Sequence, residues 1–186
     1  MWGGGGHYNA WAALLDRWAA GEQADPATLP ALRQEDLSGD GWERLTNRLT
    51  GALDQRMTAW AEALARAVSG AGDEFSRARA LAQARNGLRP IRALAVHPGL
   101  PATLTAQLAT LVDSQIRAVQ DQLERQADRM RRAGARPAQV EASLRTVRDN
   151  SLVVAVAEAP TDPGYAKTDS WYVDPTAPTR RRIVPG

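Results

Sequence analysis

The sequence predicts an all-α protein: an antiparallel up-down-up-down bundle of four long helices, with a short N-terminal aromatic helix and an extended C-terminal tail. Three observations carry that expectation. Apolar residues recur at three- and four-residue steps along most of the chain, the spacing that stacks side chains on one face of a 3.6-residue helix. The breaks between these stretches are short and hold glycine and proline, and short joins force neighbouring helices antiparallel. After Pro160 the periodicity stops and Pro, Thr, Asp and Gly take over, a composition that reads as a largely extended segment.

Taken in order, Gly3 to Gly6 form a tract without side chains to pack, expected to be a flexible leader. Tyr8, Trp11, Leu15 and Trp18 then step along one stripe of a short helix over His7 to Ala20, with Gly21 as its stop. Residues 22–40 read as a connector with a brief helical hint at Ala27 to Arg33. A long helix follows to Ser69, with Trp42, Leu45, Leu49, Leu53, Met57, Trp60, Leu64 and Val68 as its apolar edge and Asp40 as its cap.

Asp73 and Glu74 open the next helix, to residue 96, with Phe75, Ala78, Leu81, Leu88, Ile91 and Ala95 on its buried side. Pro90 lacks an amide hydrogen and crowds the carbonyl of Asn86, so a kink or restart is expected between those two residues. His97-Pro98-Gly99-Leu100-Pro101 is the turn into the strongest pattern of the chain, residues 101–133, where Leu104, Leu108, Val112, Ile116, Val119, Leu123 and Met130 share a face. The apolar period of both long stretches is about 3.7 residues per turn, above the 3.5 of a heptad seam, which favours nearly straight helices over a coiled coil. Arg129, Arg131 and Arg132 suit its carbonyl end, and Gly134 ends it. A fourth helix starts at Pro137 and is read as continuing to about residue 158, although the β-branched run Leu152 to Val156 also suits a strand. The chain thus divides into a leader and aromatic helix (1–21), a connector (22–40), the bundle (41–158) and a Pro-rich tail (159–186), for which a short hairpin across Asp174 to Thr179 is the alternative to an extended path.

Composition narrows the chemistry. The 186 residues suffice for one domain with a real core. The chain contains no cysteine, which removes disulfides, zinc-thiolate sites and thiol nucleophiles. No signal-like run and no apolar stretch of membrane-spanning length is visible, so a cytoplasmic protein without a membrane span is expected. Net charge is only +2 although the pI is near 9.5, because the basic residues are arginines except for Lys167. Residues 1–70 carry six arginines against nine acids, and the remainder is correspondingly basic.

No local motif for catalysis emerges. The two histidines, His7 and His97, do not form Glu-x-x-His or His-x-x-x-His pairs, and no phosphate-cradling or nucleophile-elbow motif occurs. No cofactor or metal is therefore expected, although distant carboxylates such as Asp54 or Glu62 with Asp121 or Glu124 could meet in a cleft. His97, before a proline turn, reads as structural. The glycine tract before His7 could present free amides to an anion, but a bare glycine run also serves as a leader.

Two sets of residues remain as candidates for function. Arg85, Arg89 and Arg92 lie at i, i+4 and i+7 in a stretch, Phe75 to Val112, that contains no acid. Unpaired they repel one another, so either acids on neighbouring helices or an anionic ligand should compensate them, and arginine's planar fork suits phosphate. The opposed rows Asp113, Arg117, Asp121, Arg125 and Asp128, Arg132 are, by contrast, ordinary solvated i,i+4 pairs. The second set is partner-facing: Trp11 and Trp18 as a detachable docking stripe or as packing, and Trp171, Tyr172, Arg180, Arg181 and Arg182 in the tail.

The sequence reading is a non-enzymatic cytoplasmic helical module for protein–protein interaction or regulation, its partner being another protein, with homo-oligomerisation open. The alternative is an anion-binding helical protein that takes a nucleotide, phosphate compound or nucleic acid on its arginine cluster.

Overall fold

The computed structural model describes residues 4–153. The expected helix to residue 158, the tail and its hairpin, and Trp171, Tyr172, Arg180, Arg181 and Arg182 fall partly or wholly outside them. Within the described residues the protein is all-α, with helices α1 (Gly4–Ala19), α2 (Gly39–Ser69), α3 (Glu74–Ala95), α4 (Ala102–Arg132) and α5 (Pro137–Asp149). None of them is long and apolar enough to cross a membrane.

The expected bundle is present. Short turns run α2, α3 and α4 alternately up, down and up, and these three helices pack pairwise on one another; α1 lies on α2, and α5 on α4 and α3. Seven of the eight residues on the expected edge of α2, from Leu45 to Val68, are buried, with Trp42 half-buried at its start. Leu104, Leu108, Val112, Ile116 and Leu123 are buried on α4, while Val119 and Met130 are half-buried. One contiguous core results, centred on Leu45, Leu49, Leu53, Leu81, Leu88 and Leu94.

Several element boundaries differ from the sequence expectation, each for a local reason. α1 begins at Gly4, inside the glycine tract, so this part of the expected leader is helical. Glycine makes that turn entropically costly, and the docking of Trp11, Leu15 and Trp18 below it opposes the loss. Ser38, not Asp40, occupies the N-cap of α2; Asp40 lies in the first turn, where its charge still favours the helix dipole. Asp73 caps α3 from outside, its carboxylate accepting a bond from the Ser76 amide at 2.6 Å. That bond holds its carboxyl below the ordinary carboxylate range.

Pro90 sits within one continuous helix from Glu74 to Ala95, so α3 does not restart. Its buried residues are Ala80, Leu81, Ala84, Leu88, Ile91, Leu94 and Ala95, with Ala78 half-buried. Phe75 points the opposite way, about 180° from Ala84 at 100° per residue, and is 78% exposed rather than buried. α5 is only 13 residues long, so the fourth helix is shorter than the others. Past its end, Leu152 is fully buried and its amide donates to the Gln120 Oε1 at 3.0 Å. That anchor turns the chain back onto α4, where a continuing helix would have carried it away.

The connector is not a loose strap. It contains two short 3-10 turns, Pro26–Thr28 and Gln34–Asp36, and is stitched to the rest at one corner. Trp11 Nε1 donates to the Pro30 carbonyl (2.9 Å), His97 Nε2 bonds the Pro26 carbonyl (2.7 Å), and the Leu32 amide donates to the Gly99 carbonyl (2.7 Å). Gly21 and Gly134, after α1 and α4, have φ of 93° and 83°, the left-handed conformation in which glycine ends a helix without a Cβ penalty.

Candidate functional site

The aromatic stripe of α1 is core: of its two readings, packing and docking, Trp11 and Trp18 take the first and offer no docking surface. Trp11 is 0% and Trp18 2% exposed. Trp11 meets the His97 ring edge-on, centroids 5.1 Å apart and planes at 88°, the arrangement that the ring quadrupoles favour. Trp18 carries the Arg56 guanidinium 5.0 Å above its ring. Tryptophan area this large is worth most where it displaces water from a groove, and α2 supplies that groove. Along the same seam Arg48 bonds Asp16 at 2.6 Å. Hydrogen bonding to Tyr8 and then to Asp16 raises its pKa above the ordinary arginine value.

His97 has a structural role, as its position suggested. It is buried; its Nε2 faces the Pro26 carbonyl, and its Nδ1 accepts the Gly99 amide at 2.9 Å, so both ring nitrogens are engaged. The small cavity beside it, about 450 Å³ and lined by Asp25, Pro26, Leu29, Ala93 and Pro98 among others, meets a ring whose two nitrogens are already engaged. His7, on the half-buried side of α1, has Nδ1 3.8 Å from Asp36. A carboxylate at that place opposes anion binding by the glycine tract.

Three of the four carboxylates considered for a cleft are engaged separately. Asp54 accepts from Gln115 (3.0 Å), Glu62 faces Arg66 (3.9 Å), and Glu124 accepts from Gln120 (3.0 Å). No group of three or more histidines and acids gathers to hold a metal ion among the described residues.

The arginine cluster is divided. Arg92 reaches across to Asp113 of α4 at 3.8 Å, whereas Arg85 and Arg89 are exposed and make no ion pair among the described residues. Asp113 therefore serves α3 and not Arg117. Asp128 pairs with Arg131, three residues on, rather than with Arg132. Exposed i,i+4 pairs contribute only a few tenths of a kcal/mol, too little to hold those side chains against a competing neighbour. Arg77, a further member of the acid-free stretch, pairs with Glu74 and donates to the Ser143 hydroxyl of α5 at 3.1 Å.

A concavity lies elsewhere, between the C-terminal halves of α2 and α4. It is an open groove of about 710 Å³. Two successive reversals make α2 and α4 parallel, and α3 packs on both. Leu64, Val68 and Leu123 form the buried floor, flanked by half-buried Val119 and Met130. Ala61, Ala65 and Ser69 stand four residues apart on the α2 wall and keep it low; Glu62, Gln122, Gln126 and Arg129 form polar rims. The signal in the sequence was the four-residue spacing of small residues beside the apolar edge of α2, which marks a shallow flank but does not say that it stays uncovered.

The chain matches no protein-family model, no curated protein and no solved structure.

Proposed function

We propose that the chain is a non-enzymatic protein-interaction module that receives the apolar face of an amphipathic helix from another protein in the groove between α2 and α4. The supporting observation is the groove itself: a parallel-walled apolar channel with small residues on one wall and polar residues along both rims. Helix-in-groove recognition uses this division, in which apolar anchors at i, i+3, i+4 and i+7 fill the floor and the rim bonds fix register. Ala61, Ala65 and Ser69 let the incoming backbone approach closely. Glu62 and Arg129 on opposite rims suit a helix with a basic residue along one flank and an acidic residue along the other.

The test is a photo-crosslinking residue placed at Gln126 on the rim of the full chain, with Gln83 on the exposed side of α3 as control. The reading expects an adduct at Gln126 only, mapping to an amphipathic helix of a different protein and lost on Ala65→Arg. Equal adducts at both positions, or an adduct solely to a second copy of the chain, would overturn it.

A further inference from the structure

The outer face of α3 carries an unexplained combination of groups. Five arginines, Arg77, Arg79, Arg85, Arg89 and Arg92, lie in a stretch from Phe75 to Val112 without a single acid. Glu74 is taken by Arg77 and Asp113 by Arg92, and no ion pair among the described residues reaches Arg79, Arg85 or Arg89. The same helix bears the two large apolar side chains left exposed among the described residues, Phe75 at 78% and Val96, just past its end, at 56%. At 100° per residue, Phe75, Arg79, Asn86 and Arg89 fall within an arc of about 80°, while Arg85 and Arg92 stand on the shoulder toward α4.

We propose that this face binds single-stranded nucleic acid, with Arg79, Arg85 and Arg89 on the phosphate backbone and Phe75 as a stacking surface for a base. A row of cations along a helix matches a linear polyanion: Arg79 and Arg89 are about 15 Å apart along the axis, and Arg85 lies between them. Guanidinium forks bond phosphate oxygens in pairs. A base stacked on an exposed aromatic gives that ring an apolar partner without requiring a second apolar surface beside it. An acidic protein fits less well, because protein interfaces are built round clustered apolar anchors. Here Phe75 and Val96 stand at opposite ends of α3 with only polar, small and charged exposed residues between them. Duplex DNA fits less well too, since α5 packs alongside α3 and prevents it from entering a major groove as a free helix.

The experiment is fluorescence anisotropy of a labelled, mixed-sequence single-stranded oligonucleotide titrated with the full chain across a salt series. Three phosphate contacts predict a log–log salt slope of about −2, so a roughly fourfold rise in salt weakens binding about eighteenfold. The triple variant Arg79→Gln, Arg85→Gln, Arg89→Gln, all at exposed positions, abolishes that slope. Phe75→Ala weakens binding about fivefold or more without altering the slope. Circular dichroism confirms that both variants remain helical. The proposal is overturned if no binding occurs at low salt, if the triple variant binds like the parent, or if binding is lost instead with Arg180→Gln, Arg181→Gln, Arg182→Gln. Displacement by polyglutamate at equal charge would likewise overturn it, assigning the face to an acidic protein.

Discussion

Replacing His97 with phenylalanine isolates what holds the connector to the bundle. Phenylalanine keeps a planar ring to meet Trp11 edge-on and removes both polar atoms. The Pro26 carbonyl then loses its partner at 2.7 Å but keeps the Leu29 amide at 3.0 Å, and the Gly99 amide loses its partner at 2.9 Å. A buried backbone group left unpaired costs about 1–3 kcal/mol. Gly99 is buried and its amide lies at the high end; the half-buried Pro26 carbonyl stays paired and adds little. The sum is about 2–3 kcal/mol, a large part of the roughly 5–15 kcal/mol that holds a domain together.

The assay is urea unfolding followed by far-ultraviolet circular dichroism. A loss of that size corresponds to a fall in Tm of about 4–12 °C for a chain of this length. His97→Ala, which also gives up the edge contact with Trp11 and leaves a cavity, should lose about 1–3 kcal/mol more. If His97→Phe loses less than about 1 kcal/mol, the corner is solvated enough to replace both bonds, and the histidine is not the clamp described here.

Four further outcomes follow from the same coordinates. Gly99→Ala would place a Cβ 2.9 Å from His97 Nδ1 and 3.2 Å from the Ala31 Cα; overpacking against backbone predicts a loss of about 1–3 kcal/mol by urea unfolding, and a neutral result would contradict the close packing. Pro90→Ala restores an amide within α3 at an exposed position, so thermal melts should show a gain of up to about 3 kcal/mol; destabilisation would mean that the proline sets the helix path. Leu152→Ala empties a fully buried site beyond α5 and should cost about 2–5 kcal/mol, whereas an unchanged midpoint would show that this segment does not stay docked in solution. Asp73→Ala should lower the urea midpoint at neutral pH. Because the Ser76 amide lowers the folded-state pKa of Asp73, the stability it contributes is present above the ordinary carboxylate range and lost as pH falls through that lowered value; a parent–variant difference that persists unchanged in strong acid would refute the assignment.

Fold class was legible because it rests on repetition. The apolar period over Leu45 to Val68 and over Leu104 to Leu123 survives any local error, and both stripes are buried. Phe75 was misread because it precedes the stripe of α3 by too little sequence for its angle to be judged; only the start at Glu74 and the buried Ala84 fix which way it points. The length of α5 could not be read from Val153 and Val154 at all, since what stops the helix is a bond from the Leu152 amide to Gln120, 32 residues away. Trp11 and Trp18 show the same limit. Their stripe was visible, but whether it met solvent or α2 depended on a tertiary contact that periodicity does not encode.

Gln120 and Arg92 show why the charged and polar residues of this bundle resist local reading. Gln120 sits in the core face of α4, buried where an apolar residue would continue the pattern, and is satisfied on both sides: its amide donates to Glu124 and its carbonyl accepts from Leu152. Such a residue trades hydrophobic burial for a fixed partner, and so positions the segment leaving α5. Arg92 likewise has its partner on another helix, Asp113. Once these cross-helix pairs are assigned, Arg79, Arg85 and Arg89 are left without an ion pair among the described residues, on a helix whose one acid, Glu74, is taken by Arg77. α3 carries five arginines against one acid, whereas α4 carries five against four. The buried Gln120 finds its partners within the fold, whereas Arg79, Arg85 and Arg89 stand exposed on α3.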